Sequence, residues 1–338
     1  MKIIGYLNYD YEHLPDPHLL THINFSFAEL YVRNGVYDHF ELCGQNIEKL
    51  INVVKLKEIN PELKVLISFT SQIHNEDNFQ DGGFSAICND ENQYKHLTKD
   101  IVDFIEKYNL DGIDLNWEYP CEKWSNQTPL EYDKEHFNIF IQYLRETLPK
   151  DKIISYASYV LSNKKFHDTF LSKIIDHVNV MCYDLGEGYR HQAHNAVQKF
   201  LYTSLSCKYS IESYTRNQIE PSKYIMGIPF YGRFSFKNTG RNPILTLKEI
   251  KHLLTTKDYH SEETVNNIPF LFENNGPFGK ERPICSYENE YSLYKKIELV
   301  IENNLGGIMI WNLTQDTDDF YYLKMINNII KNIKRNEK

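Results

Sequence analysis

Short β-rich apolar runs alternate with amphipathic helical patterns along the whole chain, and this alternation limits the possible folds more than any other feature. Repeated strand–helix units favour a parallel sheet with helical crossovers over a sandwich of antiparallel strands. The apolar runs predict eight strands, at residues 2–8, 21–28, 64–70, 112–118, 153–159, 178–184, 224–230 and 307–312. A closed (β/α)8 barrel needs about 250 residues plus insertions, and the chain has 338. We therefore predict an α/β fold, a TIM barrel that occupies residues 1–338 as a single domain.

The segment between the seventh and eighth predicted strands is too long for a simple crossover. Residues 235–288 hold a short helical pattern, Leu245–Leu254, and two β-like runs, Ile268–Phe272 and Pro283–Tyr287. No low-complexity linker sets this segment apart. We predict a small α+β insertion between strand 7 and helix 7, not a second independent domain.

Charge and cysteine content argue against several classes of function. The net charge of −9 comes without a basic block, so nucleic acid and anionic membranes are poor candidate partners. The cysteines occur singly, without the CxxC pairs or neighbouring histidines of a zinc site, at Cys43, Cys88, Cys121, Cys182, Cys207 and Cys285. We expect free thiols, a monomer, and neither a metal nor a cofactor.

The amino-terminal sequence leaves the compartment open. MKIIGYLNYD reaches polar residues too early for a signal peptide, and no segment approaches 18 apolar residues. Either the protein is intracellular or it is secreted and its signal has been removed. The sequon at Asn126 would matter only in the second case.

The run from Asp111 to Pro120, DGIDLNWEYP, carries the strongest chemical signal in the chain. Because side chains alternate along a strand, Asp114, Asn116 and Glu118 should share one face and the intervening apolar residues the other. A strand with one face in water would show the same pattern, but strands of a parallel barrel are covered on both sides. Glu118 would then lie at the carboxyl end of a barrel strand, where such folds hold their active sites.

The same run resembles the signature of the family 18 glycoside hydrolases, Asp-Gly-x-x-Asp-x-Asp-Trp-Glu followed by Tyr-Pro. Other stretches resemble the family in the same chain order, namely Gly5-Tyr6, His22–Ala28, Met181–Asp184, Met226–Arg233, Ser286–Ser292 and Gly306–Trp311. The resemblance therefore extends over the whole chain.

The resemblance implies hydrolysis of β-linked N-acetylglucosamine polymers such as chitin, in which the acetamide of the substrate attacks its own anomeric carbon. Glu118 matches the general acid and base, and Asp114 and Asn116 belong to the same signature. Tyr183 matches the tyrosine that holds the acetamide oxygen, Asp184 an acidic group at the distorted sugar, and Trp311 the apolar floor. Weaker matches for the substrate groove are Tyr6, Phe27, Met181 and Arg233.

Several of these residues also have ordinary structural explanations. Tyr183 and Trp311 could be core aromatics, and Asp184 could cap a helix. Tyr6, Phe27 and Arg233 could simply pack.

Two departures from the family pattern affect the expected chemistry. Asn116 stands where most active relatives have aspartate, which keeps a hydrogen-bond acceptor but removes a charge. Such a loss typically costs about 10²–10³ in rate. We expect weak hydrolysis with an optimum that is more acidic than that of an Asp-bearing relative, because the amide donates to Glu118 and no like charge opposes the ionisation of Glu118.

The second departure reshapes the groove after the third predicted strand, where the chain reads Ser68-Phe-Thr-Ser-Gln72 instead of Ser-x-Gly-Gly. Trp124 could supply a replacement stacking surface, or it could be an incidental loop residue. Two other functions fit the same pattern: a non-catalytic chitin- or glycan-binding lectin, and an endo-β-N-acetylglucosaminidase acting on N-glycans or peptidoglycan.

Overall fold

A computed structural model describes residues 1–71, 83–122, 129–161, 165–185, 195–197, 205–234, 244–263 and 268–336. Eight parallel strands form a closed barrel in which β1 pairs with both β2 and β14. In barrel order they are β1 (Lys2–Asn8), β2 (His22–Arg33), β4 (Lys64–Thr70), β5 (Gly112–Asn116), β6 (Ile153–Tyr159), β7 (His177–Met181), β8 (Tyr224–Pro229) and β14 (Gly307–Trp311). The predicted (β/α)8 barrel is confirmed.

Helices follow the strands, and most of them cover the barrel from outside. Within the described ranges they are α1 (Ile47–Ile59), α2 (Gly83–Cys88), α3 (Glu91–Lys107), α4 (Asp133–Thr147), α5 (Asp168–Leu171), α6 (Cys207–Arg216), α7 (Leu247–Leu253), α8 (Glu290–Glu302) and α9 (Tyr321–Asn336). None of these helices combines the length and apolar character that crossing a bilayer requires.

Helix α3 illustrates how the sequence sets these elements. The Asp90 carboxylate accepts hydrogen bonds from two backbone N–H groups of the first turn, which have no partner within the helix. Leu97, Ile101 and Ile105 recur every four residues and are buried in the layer between helices and strands.

Two predicted strands are shorter in the structure by two or more residues at their carboxyl ends. The strand predicted at 112–118 ends at Asn116, and the one predicted at 178–184 ends at Met181. The alternation of side chains nevertheless continues past β5, because Trp117 packs outward between Phe84 and Phe137. Hydrophobic pattern alone therefore overestimated the strand length where the chain turns towards the barrel mouth.

One strand of the main sheet was missed by the sequence analysis. Strand β3 (Val36–Leu42) pairs antiparallel with the extended end of β2. The turn between them holds Asn34 and Gly35, with φ of 51° and 72°. Asn-Gly with positive φ at both positions is the preferred two-residue hairpin turn, so the signal was present in the sequence.

A second, antiparallel sheet lies between β8 and β14 in the chain. Its strand order is β10 (Ile244–Thr246), β9 (Tyr231–Phe234), β13 (Arg282–Ser286), β12 (Pro269–Glu273) and β11 (Tyr259–Glu263). The predicted helix and both β-like runs correspond to α7, β12 and β13. The sheet also includes β9, before the predicted start at residue 235, and the treatment of this part as an insertion within one domain remains a prediction.

A buried carboxylate joins the strands inside the barrel. Asp114 Oδ2 accepts hydrogen bonds from Tyr6 Oη and Ser68 Oγ, each over 2.7 Å. Asp114 Oδ1 accepts from Ser155 Oγ over 2.7 Å and from Asn179 Nδ2 over 3.0 Å. Through these four bonds, one side chain of β5 is joined to β1, β4, β6 and β7.

Two histidines lie at the opposite, amino-terminal end of the barrel. His22 begins β2 and His177 begins β7, and their rings meet edge to face at 5.6 Å. Burial lowers the pKa of His22 to about 4 and that of His177 well below its ordinary value. Among the described residues, neither ring nitrogen of His177 has a hydrogen-bond partner. Both side chains are therefore neutral in the folded protein near pH 7.

Candidate active site

A cavity of about 610 Å³ opens at the carboxyl ends of the barrel strands. Its described wall includes the predicted residues Tyr6, Asn116, Glu118, Met181, Tyr183, Asp184, Arg233 and Trp311. The barrel thus brings together side chains that are far apart in the sequence.

Glu118 lies in this cavity, two residues after β5 ends. Its backbone N–H donates to Ser71 Oγ over 3.0 Å, which fixes the chain after β4 against the chain after β5. Burial raises the pKa of Glu118, the hydrogen bonds from Asn116 and Tyr119 lower it, and the charge of Asp184 raises it. The net direction is upward, which suits a carboxylic acid that donates a proton in mildly acidic solution.

Asn116 ends β5 and points into the same cavity. Its Nδ2 donates to Glu118 Oε1 over 3.2 Å. Its Oδ1 is buried and finds no hydrogen-bond partner among the described residues. The predicted donation to Glu118 is present, but the expectation that no like charge opposes the ionisation of Glu118 is wrong, because Asp184 does so.

Tyr183 follows β7 and belongs to the small apolar cluster inside the barrel, as do Met181 and Met309. Its ring meets that of Tyr231 edge to face at 6.2 Å. Burial raises the pKa of Tyr183 well above its ordinary value, so the hydroxyl stays protonated and can donate. Tyr183 is therefore both a core side chain and part of the cavity wall.

Asp184 is held by an ion pair. Its Oδ1 accepts from Arg233 Nε over 2.6 Å and from Tyr231 Oη over 2.8 Å, and Arg233 Nη2 binds Oδ2. The backbone of Asp184 lies in the left-handed region, with φ of 56°, which is uncommon for residues other than glycine. Asp184 lies in no described helix, and the Arg233 pair holds its carboxylate on the cavity wall.

Aromatic rings close one side of the cavity around Trp311. The Tyr6 ring meets the Trp311 ring at 5.4 Å, and its hydroxyl reaches the Asp114 carboxylate. Phe27 packs against Trp311 at 5.6 Å, behind the described wall, so its contact with a sugar remains a prediction. Asp114 is also behind the wall, and its carboxylate accepts a hydrogen bond from Tyr6, which lines the cavity.

Some wall residues were not predicted: Tyr119, Ala157, Tyr159, Lys165, Tyr231, Ile244 and Met309. Tyr231 could have been found, because it precedes Arg233 by two residues on β9 and a strand presents such pairs on one face. Tyr119 belongs to the same sequence run as Glu118, which it directly follows, and could have been found for that reason. Lys165 carries no signal in the sequence. The predicted residue Trp124, and Gln72, lie outside the described residues.

A possible cation ligand set lies away from these residues, in the second sheet. His260, Glu262 and Glu281 bring ligand atoms within 4.8 Å of one another. His260 is already hydrogen-bonded by Asn274 and Glu262, and both glutamates are exposed. The six cysteines carry free thiols.

Barrels of this kind place their chemistry at the carboxyl ends of the strands, and glycosidic-bond cleavage uses a buried carboxylic acid of raised pKa. Fold and cavity together define a protein of the glycoside hydrolase class. The family model described as "Glycosyl hydrolases family 18" matches residues 2–316, and the chain belongs to this family.

Individual relatives agree with this assignment. Probable chitinase 2 of Drosophila melanogaster is 26% identical over 340 residues, a match that covers 90% of this chain and 67% of that protein. Chitinase A1 of Niallia circulans is 23% identical over 407 residues, covering 93% of this chain and 56% of the other. The Group IV chitinase of Ostrinia furnacalis, solved in complex with allosamidin, superposes with a TM-score of 0.82 at 19% identity, covering 98% of this chain and 99% of that one.

Proposed function

We propose that this protein hydrolyses β-1,4-linked N-acetylglucosamine polymers, chitin or chito-oligosaccharides, as an endo-acting enzyme that retains the configuration of the anomeric carbon. The observation that carries this proposal is the convergence of Glu118, Asn116 and Tyr183 on one cavity bounded by Trp311. Membership of family 18 and the chitinase names of its relatives support the same substrate class.

In the first step Glu118 donates its proton to the glycosidic oxygen, and the bond to the departing sugar breaks. The carboxyl group is suited to this role because burial raises its pKa, so that its protonated form persists to higher pH than that of an exposed glutamate. In the second step the resulting carboxylate accepts a proton from water, and the water oxygen attacks the anomeric carbon while the bond between that carbon and the acetamide oxygen breaks.

The acetamide oxygen of the substrate is the nucleophile of the first step: it attacks the anomeric carbon as the departing sugar leaves, and a cyclic oxazolinium ion forms. The protonated hydroxyl of Tyr183 donates to the acetamide group and holds it in line for attack. Asn116 Oδ1 is a buried acceptor without a described partner, and the acetamide N–H would satisfy it. Both contacts position the substrate, and the indole of Trp311 offers an apolar surface to the sugar ring.

Asn116 bears directly on the rate of hydrolysis. An amide cannot supply the negative charge that stabilises a cationic intermediate, so the enzyme should be slow. The same observation favours a second candidate function, a lectin that binds chitin without cleaving it. The acid Glu118 is present in the cavity, and for that reason we propose hydrolysis first.

The test is a time course of product sizes from chitotetraose, chitopentaose and chitohexaose, with Glu118→Gln as the control. Slow release of chitobiose and chitotriose by the wild type, and its absence in Glu118→Gln, supports an endo-acting hydrolase. Equal binding of chitohexaose by both proteins, with no products from either, would overturn hydrolysis and support the lectin. Preferential cleavage of a high-mannose glycopeptide or of peptidoglycan would overturn the substrate class.

A further inference from the structure

Lys165 is a cation on the cavity wall to which the mechanism above gives no role. It lies after β6, and only 15% of its side chain is exposed. Its ammonium group lies 4.9 Å from the centre of the Tyr119 ring. On its other side it forms an ion pair with Glu122, whose side chain is 48% exposed.

These contacts hold the ammonium group in a defined place. The ring of Tyr119 attracts the cation through its negative face, and Glu122 provides the opposite charge from the solvent side. An ammonium group has three N–H donors. The ion pair and the ring leave it able to donate towards the cavity that Lys165 lines.

The position of Lys165 relative to Glu118 indicates which part of a substrate Lys165 would contact. Asn116, Tyr183 and Trp311 surround the space for the sugar whose acetamide attacks. Lys165 contacts the ring of Tyr119, and Tyr119 is hydrogen-bonded to Glu118, so Lys165 is connected to the site through the acid. A glycosidic oxygen protonated by Glu118 links that first sugar to a second one, which lies beyond the acid.

We propose that Lys165 is a specificity-determining residue that donates a hydrogen bond to the sugar on the leaving side of the cleaved bond. This inference rests on the proposed function. Its ligand is a neutral amino sugar, whose hydroxyl and acetamide oxygens accept from an ammonium group.

The experiment compares two leaving groups. Chitotetraose loses a sugar, whereas an aryl chitobioside loses a flat aromatic alcohol that lacks sugar hydroxyls. Lys165→Met should lower the ratio of kcat/KM for the tetramer to kcat/KM for the aryl substrate about tenfold, the size expected for one lost hydrogen bond to a charged group. Lys165→Arg should restore part of the ratio, and Lys99→Met, an exposed lysine on α3, should leave it unchanged.

An equal fall for both substrates would show that Lys165 acts through Tyr119 and Glu118, and it would overturn the proposal. An unchanged ratio would overturn it as well. A binding measurement separates this failure from failure of hydrolysis. In a Glu118→Gln background, Lys165→Met should weaken the binding of chitohexaose about tenfold by calorimetry; an unchanged Kd would contradict the role of Lys165 even if the wild type cleaves nothing.

Discussion

The side-chain amide of Asn116 donates a hydrogen bond to the Glu118 carboxylate across 3.2 Å, while its own oxygen finds no partner among the described residues. The two residues are thus coupled before any substrate enters. A carboxylate at position 116 would lose the donor and bring a second negative charge beside Glu118.

Asn116→Asp should raise kcat on chito-oligosaccharides by about 10², because a negative charge would then stabilise the cationic intermediate. Initial rates with chitotetraose measure this directly. Asn116→Ala provides the control, since it removes both the N–H donor and the oxygen acceptor of the amide and should lower kcat further. If Asn116→Asp is no faster than wild type, the missing charge is not what limits the rate.

Activity should be lost as the pH rises through the pKa of Glu118, because the first step needs the protonated acid. Burial raises this pKa, which moves the loss towards neutral pH compared with an exposed glutamate. In Asn116→Asp, the lost donor and the added charge both raise the pKa of Glu118 further, so the basic limb should move to higher pH. Profiles of kcat/KM against pH for the two proteins make the comparison, and superimposable basic limbs would contradict it.

Asp114→Asn should reduce the free energy of unfolding by about 1–3 kcal/mol, because an amide nitrogen would face donors that now bind a carboxylate. Urea unfolding gives the value. Asp103→Asn is the matched control: Asp103 pairs with Lys99 on the exposed face of α3, and such pairs contribute little. Equal stability of Asp114→Asn and wild type would mean that the carboxylate does not hold the strands together.

Stability should fall in acid because of the two buried histidines. The unfolded chain takes up protons near the ordinary histidine pKa of about 6.5, whereas folded His22 does so only at about 4. The free energy of unfolding should therefore decrease as the pH falls from about 6.5 to about 4, by up to about 1.4 kcal/mol per pH unit for each histidine. Urea unfolding across this range should show a shallower slope for His22→Gln than for wild type, and parallel slopes would contradict the assignment.

The sequence predicted the barrel because a parallel fold imposes long-range regularity: every strand must be apolar on its outer face, and every helix must bury one side. The resemblance to family 18 indicated eight of the residues that line the cavity, whereas Phe27 and Asp114 lie behind its wall and Trp124 lies outside the described residues. The ends of β5 and β7 were misjudged, since apolar residues such as Trp117 continue the pattern after the pairing stops.

Two residues of the cavity wall, Tyr231 and Lys165, were missed for different reasons. Tyr231 is on β9, whose pairing with β10 and β13 depends on a second sheet of short strands that pattern alone resolved only in part. The place of Lys165 depends on a loop after β6 and on Tyr119 and Glu122 from another loop. Contacts between loops leave no periodic signal in a sequence.

The network around Asp114 has a consequence for how such a protein can diverge. One carboxylate connects five of the eight barrel strands directly below the reacting groups, and none of these bonds involves the segments that border the cavity mouth. Those segments can be exchanged or lengthened while the hydrogen-bond network beneath the cavity keeps its geometry. New glycan preferences are thus accessible by altering the rim, whereas a change at Asp114 would affect every substrate alike.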